Sequence, residues 1–243
     1  MNYSEDDNIS IRQANVQDAS IQRSFMSKAF LWMTGALALT AITAFLIASN
    51  PQILAYLFDL ETGSLNVLGW VVIFAPFVLV LIMSSAVNRL SLPALSGLYI
   101  LYSILMGASL SFIFLAYDIA HIGITFAVTA GTFGVMALVG FTTKTDLTKF
   151  GSILLMGLIG IIIAMLVNLF LRSGTMDYVI SIIGVLIFTG LTAYDVQKLK
   201  KFSGQIGEFN ETVGKMALMG ALTLYLDFIN LFLFLLRIFG RRN

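Results

Sequence analysis

Seven long apolar stretches, set apart by short polar breaks, constrain this chain more than anything else in it. They fall at about 29–49, 65–87, 93–116, 119–141, 150–171, 177–196 and 216–239. A helix needs about 20 predominantly apolar residues to cross a hydrocarbon core roughly 30 Å thick, and each stretch has them. A segment in lipid must satisfy its own backbone groups, which leaves helices and closed barrels. A barrel would need short alternating strands, whereas 20 glycines against 3 prolines suit long helices packed closely through small residues. Hydrophobic residues make up 58% of the chain and charged ones 11%, against about 25% charged in a soluble domain. The expectation is an all-α polytopic membrane protein, a seven-transmembrane-helix bundle at 29–243 behind a polar tail at 1–28.

The punctuation between stretches has local causes. Asn50-Pro51 stops the first, because the residue before a proline is pushed out of helical geometry. Pro93 suits the first turn of the third, and the short link from Asn88-Arg89 makes the second and third helices antiparallel neighbours. Small and hydroxylated positions such as Ser103, Gly107, Gly131 and Gly134 fit interhelical packing, and Asn168 either lines a path or bonds a neighbour. With the N-terminus inside, ten Lys and Arg fall on the cytoplasmic side and four on the other. The positive-inside rule therefore puts the N-terminus in the cytoplasm. Arg237, Arg241 and Arg242 dissent and would fit a re-entrant last segment, but its 24 predominantly apolar positions are enough to span.

Several function classes drop out. A net charge of +1 offers no basic surface for nucleic acid. Without cysteine, and with His121 as the single histidine, neither a zinc cluster nor a thiol nucleophile can be assembled. No serine sits in a Gly-x-Ser-x-Gly context. No tightly bound cofactor is expected.

What needs explaining is a carboxylate in each of the last two helices. An ionised Asp at the centre of a span costs about 2.5–3.5 kcal/mol even on the lenient insertion scale, so Asp195 and Asp227 need a compensating role. Gly220, Thr223, Asp227 and Asn230 recur at i, i+3, i+7 and i+10, a polar stripe on the seventh helix; Thr189, Thr192 and Asp195 share a three-residue spacing on the sixth. Thr192, Thr223 and Asn230 are candidate pore-lining residues. Facing carboxylates titrate as one coupled pair, can share a proton near neutral pH, and can offer oxygens to a hard cation such as Ca²⁺ in transit. Arg89, at the same end as Asp195, is a candidate charge partner or simply an anchor. Straight helices would hold the carboxylates apart, since Asp227 lies about 18 Å inward of Lys215 and Asp195 about 5 Å from Lys198. Contact requires the seventh helix to begin outside the bilayer or the sixth to end deeper.

Phe188-Thr189-Gly190-Leu191-Thr192-Ala193-Tyr194-Asp195-Val196-Gln197-Lys198 and Gly220-Ala221-Leu222-Thr223-Leu224-Tyr225-Leu226-Asp227-Phe228-Ile229-Asn230 resemble the Bax inhibitor-1 (TMBIM) family, in its bacterial YbhL-like inner-membrane branch. The likeness extends to Thr142-Thr143-Lys144-Thr145-Asp146-Leu147 and to Leu235-Leu236-Arg237-Ile238-Phe239-Gly240, covering the chain from about residue 26 onward. It implies a seven-helix bundle with the last helix central and a pH-dependent leak of calcium ions across the inner membrane. The family's di-aspartyl latch falls on Asp195 and Asp227, which would also bind calcium transiently, and its latch arginine on Arg89. One departure is that no acidic residue lies well inside the second span, leaving Asp118 and Asp177 at the outer rim to attract cations.

Two rival readings differ in class. A pair of helix-borne aspartates also resembles presenilin-type proteases, but Leu224-Tyr225-Leu226 precedes Asp227 where Gly-x-Gly is required, so no enzyme is expected. The stronger rival is an interaction protein that modulates a membrane protease such as FtsH, an association known for other bacterial relatives.

Overall fold

The computed structural model describes residues 3–59 and 64–240, with side chains from Ser20 onward. Among the described residues seven helical stretches are long and apolar enough to cross a membrane, at Ser20–Ala48, Val67–Ala86, Leu92–Ala116, Ile119–Thr142, Thr148–Leu171, Gly174–Ser203 and Glu211–Phe239. The helices are α1 (Tyr3–Ala48), α2 (Pro51–Leu57), α3 (Val67–Ala86), α4 (Leu92–Leu110), α5 (Ile113–Ala116), α6 (Ile119–Thr142), α7 (Thr148–Leu171), α8 (Gly174–Ser203) and α9 (Glu211–Phe239). Between α2 and α3 two short strands, β1 (Phe58–Asp59) and β2 (Ser64–Leu65), pair antiparallel. Polar residues set the helix starts: Asn50 caps α2, Ser91 caps α4, Asp118 caps α6 and Asn210 caps α9 through side-chain oxygens.

Two boundaries differ from the sequence reading. The first helix does not begin at residue 29 but runs unbroken from Tyr3, and Phe25 and Met26 are already buried. Phe25, Ala29, Met33 and Ala36 recur at helical spacing, so the packed stripe simply continues back into the polar stretch. The third span is interrupted after Leu110, and α5 completes it.

The last helix occupies the centre. Its apolar window is 72% inside the bundle, against 50% for α8 and 6% for α7. It packs on α8, α1, α6 and α4, whereas α7 rests on α8 and α3 rests mainly on α4. Lipid is as apolar as leucine, so this packing relies on close approach and interhelical hydrogen bonds. A side chain at Gly107 of α4 would collide with the Thr40 carbonyl of α1, and one at Gly184 of α8 with the Phe234 ring of α9. Thr40 also joins three helices: its Oγ1 donates to the Ser103 carbonyl at 2.9 Å and accepts from the Tyr225 hydroxyl at 2.8 Å. Thr40→Val should therefore destabilise by about 1–3 kcal/mol, because it strands the Tyr225 hydroxyl, and Tyr225→Phe by only about 1 kcal/mol. Thermal unfolding of the two purified variants checks the order.

Opposite ends of α9 fix the topology. At its start Glu211 accepts from the Leu92 backbone N–H, at the end of the bundle where Gln22 of α1 donates to the Lys200 carbonyl near the end of α8. At its end Arg237 pairs with Asp177 at the start of α8. The helix thus crosses the whole bundle, and the re-entrant alternative does not hold.

Candidate functional site

Asp195 and Asp227 lie on facing sides of α8 and α9, 9% and 5% exposed, with their carboxyls within hydrogen-bonding reach of each other. The register that brings them together is set one turn away. A side chain at Gly220 would collide with Leu199, so these two positions lie opposite each other. From there Asp195 is about 6 Å back along α8 and Asp227 about 10 Å on along α9, a mismatch that side chains span. From the same reference α9 starts about 7 Å beyond the end of α8, so the seventh helix does begin further out.

The site is sparsely compensated. The Asp227 Oδ2 is buried without a hydrogen-bond partner. An ionised carboxylate only accepts, so a hydrogen bond between two carboxyls needs one proton shared between them. Lys198 stands one turn further along α8, with its ammonium 6.0 Å from the centre of the Tyr194 ring. Arg89 is exposed in the turn after α3, and among the described residues no ion pair includes it. The expected contact of Arg89 with Asp195 is therefore not made here, because α3 packs mainly on α4. Lys198 stands at i+3 from Asp195, a spacing that the sequence offers as a measure of depth and that also makes the two residues neighbours on one helix face.

The polar stripe of α9 divides. At about 100° per residue Gly220 and Asp227 point within about 20° of each other, and Thr223 and Asn230 likewise, but the two pairs diverge. Thr223 is exposed and Asn230 half-buried; they return their hydrogen bonds to the Met219 and Leu226 carbonyls. They share a flank with Leu226, which borders a groove of about 290 Å³ against Pro76 and Val80 of α3 and Tyr102 of α4. Thr192 is fully buried and donates to the Phe188 carbonyl, so it lines no open path. Asn168 accepts from the Ser173 N–H and closes the turn after α7. Asp118 caps α6 and lies 4.0 Å from His121, whereas Asp177 pairs with Arg237 at 3.5 Å. Among the described residues no three His, Asp or Glu side chains gather to hold a metal, so the donor set is two carboxylates.

Next to the pair, α8 is tied to the α6–α7 loop. The buried Gln197 accepts from the Leu147 N–H and donates to the Thr145 carbonyl, each at 2.8 Å. Beside it Lys201 pairs with Asp146, holding that carboxyl well below the usual carboxylate range. A depressed folded value contributes stability above the unfolded value and loses it only as pH falls through the folded one. The Asp146–Lys201 tie is thus intact throughout pH 5–8. Asp146→Asn should lower the melting temperature equally at pH 5 and pH 8; a loss confined to one end would contradict this assignment.

The family model described as "Inhibitor of apoptosis-promoting Bax1" matches residues 22–243. The chain is 46% identical over 229 residues to the inner membrane protein YbhL of Escherichia coli K12, covering 94% of this chain and 96% of that one. It is 46% identical over 227 residues to an uncharacterized protein of Borreliella burgdorferi, covering 93% and 96%. To an uncharacterized membrane protein of Streptococcus pyogenes it is 44% identical over 170 residues, covering 68% and 71%.

Proposed function

This chain belongs to the Bax inhibitor-1 family, and on that footing we propose that it is a pH-sensitive calcium leak of the bacterial inner membrane, gated by Asp195 and Asp227. The observation that carries this reading is the buried carboxyl pair on the two most enclosed helices, with one oxygen unpartnered. With one proton between them the carboxyls tie α8 to α9. With none, two negative charges repel across the interface and present oxygens to a cation. Ca²⁺ takes six to eight oxygens, so two carboxylates with water suit transit rather than storage. Thr223 and Asn230 offer further oxygens along the open flank of α9.

Lys198, one turn from Asp195, is the nearest cation along α8, and Arg89 would approach the pair only on movement of α3. Of the two expected rim carboxylates Asp177 is engaged by Arg237, which leaves Asp118 the better placed to draw cations. Ten of the fourteen Lys and Arg lie toward the end that holds the α8–α9 loop, which supports a cytoplasmic N-terminus. Nothing in this mechanism makes or breaks a covalent bond, and the relatives' names carry no catalytic activity.

The test is calcium flux into proteoliposomes across pH 5–8. Flux above empty liposomes that varies with pH is expected. A folded, inserted protein with no flux above the control would overturn the reading in favour of a bundle that binds and modulates a membrane partner such as a protease.

A further inference from the structure

At the C-terminal end of α9, where it meets the α7–α8 turn, a pocket of about 330 Å³ is lined by Met165, Asn168, Leu169, Arg172, Asp177 and Arg237. Two guanidiniums enter it from different elements. Arg237 comes from the last turn of α9, and Arg172 from the turn after α7, where φ is 51°, a left-handed backbone uncommon outside glycine. The single carboxylate in the pocket, Asp177, pairs with Arg237. Among the described residues no carboxylate pairs with Arg172. The Asn168 Oδ1 is engaged by the Ser173 N–H, while its Nδ2 donates to no acceptor among the described residues. The pocket therefore combines one net positive charge with unengaged N–H donors.

Its position selects the ligand. Met165 and Leu169 form an apolar wall that continues into the outward-facing Phe170 and Leu171, on the helix most open to lipid. Charged groups at the ends of apolar spans lie at the depth of lipid phosphates. Arginine, with its planar fork, matches phosphate oxygens better than lysine. We propose that this pocket binds the phosphodiester of an anionic phospholipid, with an acyl chain lying along α7. This assignment does not depend on the calcium reading.

The test is native mass spectrometry of the full chain in neutral detergent, titrated with phosphatidylglycerol, with diacylglycerol of the same chains, and with inorganic phosphate. Phosphatidylglycerol should bind and diacylglycerol should not. Arg172→Asn, which tolerates the left-handed backbone, should weaken phosphatidylglycerol binding roughly tenfold through lost charge-assisted hydrogen bonds. Asp177→Asn removes the competing carboxylate and should tighten it severalfold. Equal binding by wild type and Arg172→Asn would overturn the site, as would weakening by Asp177→Asn. Equal uptake of diacylglycerol would reduce the site to an apolar groove, and displacement by equimolar inorganic phosphate would make it a free-anion site; either overturns the lipid assignment.

Discussion

Calcium flux through reconstituted Asp195→Asn/Asp227→Asn protein is expected to be flat from pH 5 to pH 8, at the level wild type reaches on its acidic limb. Asparagine keeps the shape and hydrogen-bonding capacity of a protonated aspartic acid but cannot ionise. The variant thus retains the tie between α8 and α9 and loses the charge that would part them. The effect is large because the pair is buried. Two unit charges about 4 Å apart repel by about 4 kcal/mol at an effective dielectric of about 20, a factor of about a thousand in an equilibrium. Either single variant should lose most of the response, since one remaining charge has no like neighbour to repel. A double variant that keeps the wild-type pH profile would remove these residues from the gate.

The second large effect is a packing one. Gly140→Val should destabilise the bundle by about 3 kcal/mol or more, measured by thermal unfolding in detergent. A side chain there would overlap the Ala193 carbonyl of α8, which is backbone and has no rotamer to yield. Ala193 is two residues before Asp195, so any relief by parting α6 from α8 also shifts the carboxyl. Gly131, on the same helix, provides the control because nothing lies within 4 Å of the added carbon. Gly131→Ala should stabilise by about 0.5–1 kcal/mol through helix propensity alone. Equal destabilisation at both glycines would mean that the α6–α8 approach is not the cause.

Several local decisions were legible in the residues themselves. Asn50-Pro51 ended the first helix and Pro93 opened the helix of the third span, whereas Asp118, expected as a rim carboxylate, also proved to cap α6. Asp195 and Asp227 stood out because a carboxylate in an apolar span demands a reason. Depth along the chain and the family resemblance both point to Arg89, but depth leaves open which way α3 leans. Thr192, Thr223 and Asn230 were grouped by spacing, and spacing does not say which neighbour a helix face meets.

By itself the sequence determined the helical class, the seven crossings and the two helices that carry the buried carboxylates. It could do so because a bilayer demands internally satisfied backbone, so length and hydropathy alone mark a span. That the last helix is central came from the family resemblance and not from hydropathy, for lipid-facing and core-facing residues are equally apolar; only the tertiary structure decided that α7 is the helix left open. It also decided that the carboxylates meet. That meeting depends on the register of α8 against α9, fixed by Leu199 lying over Gly220, a contact between positions with no local relation in the chain.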